Sequence, residues 1–180
     1  MRIVNAALSG ILVLEPKVFK DARGFFFENY NRRAFRDAGI DAEFVQDNHS
    51  RSTCNVLRGL HYQIAQPQGK LVSVIIGEIF DVAVDLRRSS PTFGQWFGTR
   101  LSAENRLAAW IPEGFAHGFL VVSDVAEVLY KTTNYYAPQY ERCLRWDDPD
   151  LAIAWPLTGE PLLSAKDAVG VPLCDAECFG

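Results

Sequence analysis

The sequence contains no apolar run long enough to span a membrane, no excess of positive charge and no C-x-x-C pair of cysteines. A membrane-spanning helix needs about 20 consecutive apolar residues, and polar or glycine residues interrupt every apolar stretch before that length. Asp and Glu (22) outnumber Lys and Arg (18). This balance argues against a general binder of nucleic acids or anionic membranes, but a local basic cluster can still hold a small anion.

Cysteine is also scarce, and its four copies are spread along the chain: Cys54, Cys143, Cys174 and Cys178. The apolar start of the chain, residues 1–17, is broken by polar and glycine residues and lacks the small-residue cleavage site of a secretion signal. We therefore expect a cytoplasmic protein whose cysteines are free thiols rather than disulfides or metal ligands.

Short strand-like runs, separated by Gly, Pro, Asn and Asp, make up most of the chain. Residues 70–87 contain two such runs on either side of Gly77-Glu78, a pair that suits a tight hairpin turn. Residues 109–122 and 125–133 have the same character. Many short strands at this spacing predict an antiparallel sandwich or barrel, and periodicity alone does not choose between the two.

Helical signals are few. Residues 31–39 begin with Asn31 as a candidate N-cap and end at Gly39, and a second short segment starts at Ser164. The sequence has no repeat, low-complexity stretch or linker. We therefore predict a mostly β protein with a few short helices, folded as one domain over residues 1–180.

The most informative residue for function is His61, one of three histidines, in the strand-like stretch "VLRGLHYQ". Its side chain has three open roles: a metal ligand, a proton-transfer base or a packed core residue. Metal-binding cupin barrels use an H-x-H pair, a following Glu and a later His. The stretch "PEGFAHG" supplies the later one as His117, but Gln63 replaces the second histidine of the pair and no Glu follows. The remaining residues make a poor site for the usual divalent metals.

If His61 is a base, other residues must assist the proton transfer. A carboxylate behind the imidazole of His61 would favour its charged form, and Asp167 is a candidate that could instead cap a helix together with Ser164. Tyr130 lies on the apolar face of its strand, where it is either a second proton carrier or a buried tyrosine bonded to a backbone carbonyl. Lys70 opens a strand and either points into a barrel mouth or is an ordinary surface lysine.

Two arginines next to glycines are candidates for anion binding. Arg23 and Arg58 each precede a glycine, which allows a close approach of ligand and backbone, and guanidinium groups suit phosphate oxygens. The aromatic run 25–27 could stack a nucleobase or pack in the core. Strict alternation puts Arg58 and His61 on opposite faces, so a shared site requires a bulge, for which Gly59 is the natural place.

Ten segments in chain order resemble those of the dTDP-4-dehydrorhamnose 3,5-epimerase family. They are "EPKVFKDARGFFFE", "FVQDNHS", "VLRGLHYQ", "QGKLV", "GEIFDVAVDLRRSSPTFGQW", "LSAENR", "WIPEGFAHGF", "LYKTTNYYAP", "RWDDP" and "LSAKD". The resemblance covers most of residues 11–170. It implies a metal-free cupin jelly-roll barrel that works as a homodimer with strands exchanged between subunits.

By this resemblance, His61 is the base that removes the C3 and C5 protons beside the 4-keto group, and Asp167 is its partner. Tyr130 is the acid that returns a proton from the opposite face, and Lys70 stabilises the enolate. The resemblance also implies a dTDP-sugar substrate and no cofactor, because the 4-keto group itself makes the protons acidic. The positions that match the family's substrate contacts are Arg23, Glu28, Gln46, Asp47, Asn48, Arg58, Lys70, His117, Glu141 and Lys166.

Three other functions remain open at this point. An epimerase that inverts C3 alone can share the same catalytic residues. A non-catalytic cupin that binds nucleotide sugars would keep the cavity without the chemistry. A metal-dependent cupin oxygenase is disfavoured by Gln63.

Overall fold

The computed structural model describes residues 1–8 and 10–180. Its strands are β1 (Arg2–Ala7), β2 (Ile11–Glu15), β3 (Phe19–Asp21), β4 (Gly24–Phe26), β5 (Gln46–Thr53), β6 (Leu57–Gln63), β7 (Lys70–Ile76), β8 (Glu78–Asp85), β9 (Trp96–Ser102), β10 (Ala108–Ile111), β11 (Phe115–Val121), β12 (Val125–Thr132) and β13 (Glu141–Cys143). The helices are α1 (Arg32–Asp37) and the 3₁₀ turns Pro138–Tyr140, Asp167–Val169 and Leu173–Asp175. No helix in the described residues is long and apolar enough to cross a membrane.

Two antiparallel sheets face each other. One has the order β1-β2-β10-β7-β12-β5 and the other β13-β6-β11-β8-β9, while β3 and β4 form a separate hairpin. Val72 and Val128 of the first sheet pack against Ile79, Ala83 and Phe119 of the second. Each fully buried Val, Ile or Phe side chain contributes about 1.5–3 kcal/mol. The predicted mostly β, antiparallel architecture is confirmed, with the core between the sheets.

Helix α1 forms where the sequence predicts it. The Asn31 side chain accepts hydrogen bonds from the backbone N–H groups of Arg33 and Ala34, which satisfies two donors of the first turn. Gly39, with a φ of +87°, follows the helix. Phe35 on the inner face is buried against the first sheet.

The predicted hairpin at Gly77-Glu78 is wrong. Strands β7 and β8 belong to different sheets, so the chain crosses from one sheet to the other at this point. Gly77 has a φ of +74°, and a Cβ there would lie 1.9 Å from the carbonyl oxygen of Val125. Glycine is therefore required by a close backbone approach rather than by a two-residue hairpin. A sharp change of direction is visible in the sequence, but the identity of the pairing strand is not.

Candidate active site

Strand β6 carries the bulge that the sequence predicts. His61 lies opposite His117 of β11, and Arg58 lies opposite Phe119, so β6 has one residue more than β11 between the two pairs. Gly59, inside this interval, has a φ of +108°, and a Cβ there would lie 2.6 Å from the carbonyl oxygen of His117. The extra residue turns Arg58 and His61 towards the same cavity.

That cavity has a volume of about 430 Å³ and opens between the two sheets. The first sheet contributes residues of β5, β7 and β12, the second contributes β6 and β11, and the segment around residue 166 closes one side. Most of the predicted site residues line it: Gln46, Asn48, Arg58, His61, Lys70, His117, Tyr130, Glu141, Lys166 and Asp167.

His61 and Asp167 form a close pair. The Nε2 atom of His61 lies 2.6 Å from Oδ1 of Asp167, whose side chain is only 4% exposed. At this distance the imidazole and the carboxylate interact directly. Burial raises the pKa of Asp167, but the contacts with His61 and Ser164 outweigh burial and leave the pKa below its ordinary value. An ionised carboxylate therefore faces the imidazole.

Asp167 lies behind the imidazole of His61 and is also bonded to Ser164, although the 3₁₀ helix Asp167–Val169 has Lys166 rather than Ser164 as its N-cap. The backbone N–H of Asp167 donates to Ser164 Oγ at 3.2 Å. The hydroxyl of Ser164 in turn donates to Oδ2 of Asp167 at 2.7 Å, and the Gly59 N–H donates to Oδ1 at 3.3 Å. The turn that starts at Ser164 thus fixes the carboxylate behind His61, and one oxygen remains directed at the ring.

Lys70 is buried beside the same pair. Its Nζ donates to the carbonyl oxygen of His61 at 3.1 Å, and its side chain is in the wall of the cavity rather than on the surface. Burial lowers the pKa of Lys70 to about 8, against the opposing charges of Asp81 and Glu141. The ammonium is therefore close to neutralisation at moderately alkaline pH.

Tyr130 enters the cavity from the other sheet. It lies on β12, on the same face as the buried residues Ala126 and Val128, whereas His61 lies on β6 of the facing sheet. Burial raises the pKa of Tyr130, with Arg58 opposing the shift. The Tyr130 phenol therefore keeps its proton at neutral pH. This weak acid and the imidazole of His61 border the same cavity from two sides.

Several polar residues at or beside the site were not predicted from the sequence. Asp81 is buried and its Oδ2 lies 2.7 Å from Nε2 of His117. The hydroxyl of Tyr136 donates to Glu141 Oε2 at 2.7 Å, and Lys166 is ion-paired with the same carboxylate. The only signal for Asp81 was its position on the polar face of β8, and Tyr136 was hidden in a loop.

Gln63, the residue in place of the second histidine of a metal-binding cupin, holds the loop that carries Tyr136. Its Nε2 donates to the carbonyl oxygen of Gln66 at 2.7 Å, and its Oε1 accepts from the backbone N–H of Ala137 at 2.8 Å. The side chain is 3% exposed. Gln63 therefore lies outside the cavity lining and acts on the site through the backbone of this loop.

A family model described as dTDP-4-dehydrorhamnose 3,5-epimerase matches residues 5–175. The chain belongs to this family. It is 62% identical over 180 residues to the dTDP-4-dehydrorhamnose 3,5-epimerase of Pseudomonas aeruginosa, with 99% of each chain covered. A dTDP-4-dehydrorhamnose 3-epimerase of Streptomyces niveus is 40% identical, covering 100% of this chain and 87% of the relative.

The fold of the epimerase is also that of solved relatives. The dTDP-6-deoxy-D-glucose-3,5-epimerase of Legionella pneumophila, solved with dTDP-4-keto-L-rhamnose, superposes with a TM-score of 0.95 at 51% identity, and the match covers 98% of this chain and 94% of that one. The predicted cupin-type fold is thereby confirmed.

Three residues predicted to hold the substrate of the epimerase lie outside the cavity of the chain. Arg23 is ion-paired with Asp21 at 2.6 Å on the exposed β3–β4 hairpin. Glu28 accepts a hydrogen bond from the Asn31 side chain at 2.9 Å. Asp47 points away from the cavity, because Gln46 and Asn48 on either side of it point inwards. Within one chain the structure does not bring these three to the site.

Proposed function

We propose that the chain inverts C3 and C5 of dTDP-4-dehydro-6-deoxy-D-glucose and so forms dTDP-4-dehydro-L-rhamnose. The observation that carries this proposal is the placement of His61 and Tyr130 on facing sheets around one cavity, with Lys70 beside them. Inversion at carbon requires removal of a proton on one side and its return on the other. A single imidazole cannot do both.

His61 is the proposed base. The carboxylate of Asp167 faces Nε2 and so favours the tautomer that carries its proton on that nitrogen, which leaves the Nδ1 lone pair to accept a proton from carbon. The charge of Asp167 then stabilises the imidazolium that forms. The two electrons of the broken C–H bond move to the 4-oxygen as an enolate, and the 4-keto group makes this possible without a cofactor.

Lys70 and Tyr130 complete the proposed cycle. The Lys70 ammonium stabilises the negative charge on the 4-oxygen, as a preorganised charge does in other enolate sites. Tyr130 donates its phenolic proton to the carbon on the side opposite His61. Proton exchange with water then restores both groups, and the same sequence at the second carbon completes the reaction.

The basic residues of the cavity are the proposed diphosphate contacts. Arg58 is exposed at the cavity, and its Nε donates a hydrogen bond to the Ser52 hydroxyl at 3.0 Å. Its guanidinium can therefore bind two phosphate oxygens at once. Lys166 and His117 are on the same cavity, and Gln46 and Asn48 border it on β5, so they are proposed to hold the rest of the nucleotide.

We also propose that the active form is a homodimer. The β3–β4 hairpin exposes three large aromatic side chains, Phe19, Phe25 and Phe26, at 52%, 58% and 65%. An apolar cluster of this size on an exposed hairpin is a typical contact surface. Docking of the hairpin on a second copy would bury these aromatic side chains. It would also give Arg23 and the nearby Glu28 a role that they do not have within one chain.

The matched region, residues 5–175, supports one catalytic domain over residues 1–180. The free cysteines are in keeping with a cytoplasmic location.

A second candidate is an epimerase that inverts C3 alone, because a 3-epimerase is among the relatives of the chain. The two reactions are separated by incubating the enzyme with dTDP-4-dehydro-6-deoxy-D-glucose in D₂O and following the sugar protons by NMR. We expect deuterium to replace the protons at both C3 and C5. Exchange at C3 alone would establish the second function, and no exchange at either carbon would contradict both.

A further inference from the structure

The proposed mechanism leaves one reactive group of the cavity region without a role, the thiol of Cys143. Strand β13 pairs with β6 so that Cys143 lies directly opposite His61, and residues opposite each other in antiparallel strands share a face. The Sγ atom, a ring nitrogen of His61 and a carboxylate oxygen of Asp167 all lie within 4.8 Å of one another. The thiol donates a hydrogen bond to the carbonyl oxygen of Leu144 at 3.5 Å.

We propose that His61, Cys143 and Asp167 form a binding site for Zn²⁺ that inhibits the enzyme. Imidazole, thiolate and carboxylate are the three ligand types that zinc takes in proteins, and three protein ligands leave a fourth position for water. The cavity lies next to His61 and Asp167 and can supply that water. On binding, the thiol releases its proton to solvent as the sulfur–zinc bond forms, the Nε2 proton of His61 moves by way of solvent to Nδ1, and no group is oxidised or reduced.

The geometry requires only small side-chain movements. From typical zinc–ligand bond lengths, the ligand atoms of a tetrahedral ion lie about 3.4–3.6 Å apart. Nε2 of His61 and Oδ1 of Asp167 are closer than this, at 2.6 Å, and the largest separation in the cluster is within 4.8 Å. Shifts of about 1 Å bring all three to coordination distance. Ser164 holds the other oxygen of Asp167, so Oδ1 is available to the ion.

The charges around the cluster suit a cation. Asp167 and Glu141 supply negative charge, and of the two lysines on this side of the cavity Lys166 is ion-paired with Glu141 while Lys70 donates to the carbonyl oxygen of His61. Among the described residues, the close polar contact of His61 Nε2 is with Asp167 Oδ1, itself a proposed ligand, and Nε2 is the atom that the ion would take. These are the features of a cation site that sits behind the catalytic ring rather than in the sugar-binding space.

Inhibition follows from the identity of the ligands. Zinc binds the Nε2 lone pair of the neutral imidazole, so the ring proton lies on Nδ1 and that nitrogen has no lone pair left to accept a proton from carbon. This half of the inference rests on the proposed function. Binding of the ion does not depend on it, so the two halves can be measured separately.

The test titrates Zn²⁺ into chelator-treated enzyme by calorimetry and measures epimerase activity in parallel. The variant is Cys143→Ala, and the matched control is Cys174→Ala, whose thiol is exposed. We expect one Zn²⁺ per chain, reversible inhibition by the same concentrations, and about a 10-fold or greater loss of affinity in Cys143→Ala alone, as expected for loss of a ligand. Co²⁺ in place of Zn²⁺ should give a thiolate-to-metal absorption band that Cys143→Ala lacks.

Two results would overturn the inference: no stoichiometric binding, or equal affinity in Cys143→Ala and the wild type. The Co²⁺ band and the calorimetry need no activity, so they remain decisive if Cys143→Ala is inactive. Zinc binding that depends on Cys143, in a protein without epimerase activity, would support the metal site and contradict the proposed function instead.

Discussion

Replacing His61 by Asn should lower kcat/KM by about 10²–10⁴-fold, the usual contribution of a positioned general base. Asn retains hydrogen-bonding capacity but cannot accept a proton from carbon at neutral pH. The substitution is measured by steady-state kinetics with the dTDP-4-keto sugar, and the melting temperature should stay near that of the wild type, because the His61 side chain is 29% exposed and bounds a cavity.

The matched control for this substitution is His49→Asn. The His49 ring is 50% exposed, contacts Glu127 at 2.9 Å and is on the outward-facing side of β5. Its replacement should leave kcat/KM within about 2-fold of the wild type, since surface substitutions rarely change more than the local contact. Equal activity of His61→Asn and the wild type would remove His61 from the mechanism.

Replacing Lys70 by Met has the second largest expected effect, a loss of about 10²–10³-fold in kcat, as for removal of one group that stabilises a developing oxyanion. Met fills a similar volume without a charge, so the buried position stays packed. A change confined to KM would contradict the proposed stabilisation of the enolate by Lys70. It would show that the lysine binds the substrate equally well in the ground state and in the transition state.

The buried lysine also predicts the alkaline side of the pH profile. Because burial lowers the pKa of Lys70 to about 8, the ammonium loses its proton as the pH rises through that value, and kcat/KM of the wild type falls above it. Lys70→Arg keeps a charge at all accessible pH values and should retain part of the activity while losing this alkaline decline. The same decline in Lys70→Arg would assign it to another group.

Local features of the fold were predictable from the sequence, whereas the pairing of distant segments was not. The Asn31 cap, the bulge at Gly59 and the inward face of Tyr130 each follow from a few neighbouring residues, and all three are present. The hairpin at Gly77 was mispredicted because β7 and β8 pair with strands far away in the sequence. A local sequence pattern can indicate that the chain changes direction, but it does not identify the strand with which each segment pairs.

The same reason explains what was missed at the site. Asp81 meets His117 through the β8–β11 pairing, and Cys143 meets His61 through the β13–β6 pairing. Neither contact has a signature within one segment. The resemblance to the epimerase family supplied the grouping of His61, Asp167 and Lys70, which spacing in the sequence could not have given.

In the proposed mechanism, His61 removes protons on one side of the sugar and Tyr130 returns them on the other. Deuterium exchange and inversion can be separated in Tyr130→Phe by NMR in D₂O. The variant should still exchange the substrate protons, since His61 can return a deuteron to the side from which it took the proton, but it should form almost no epimerised product. Exchange lost together with inversion, or inversion at the wild-type rate, would contradict this division of roles.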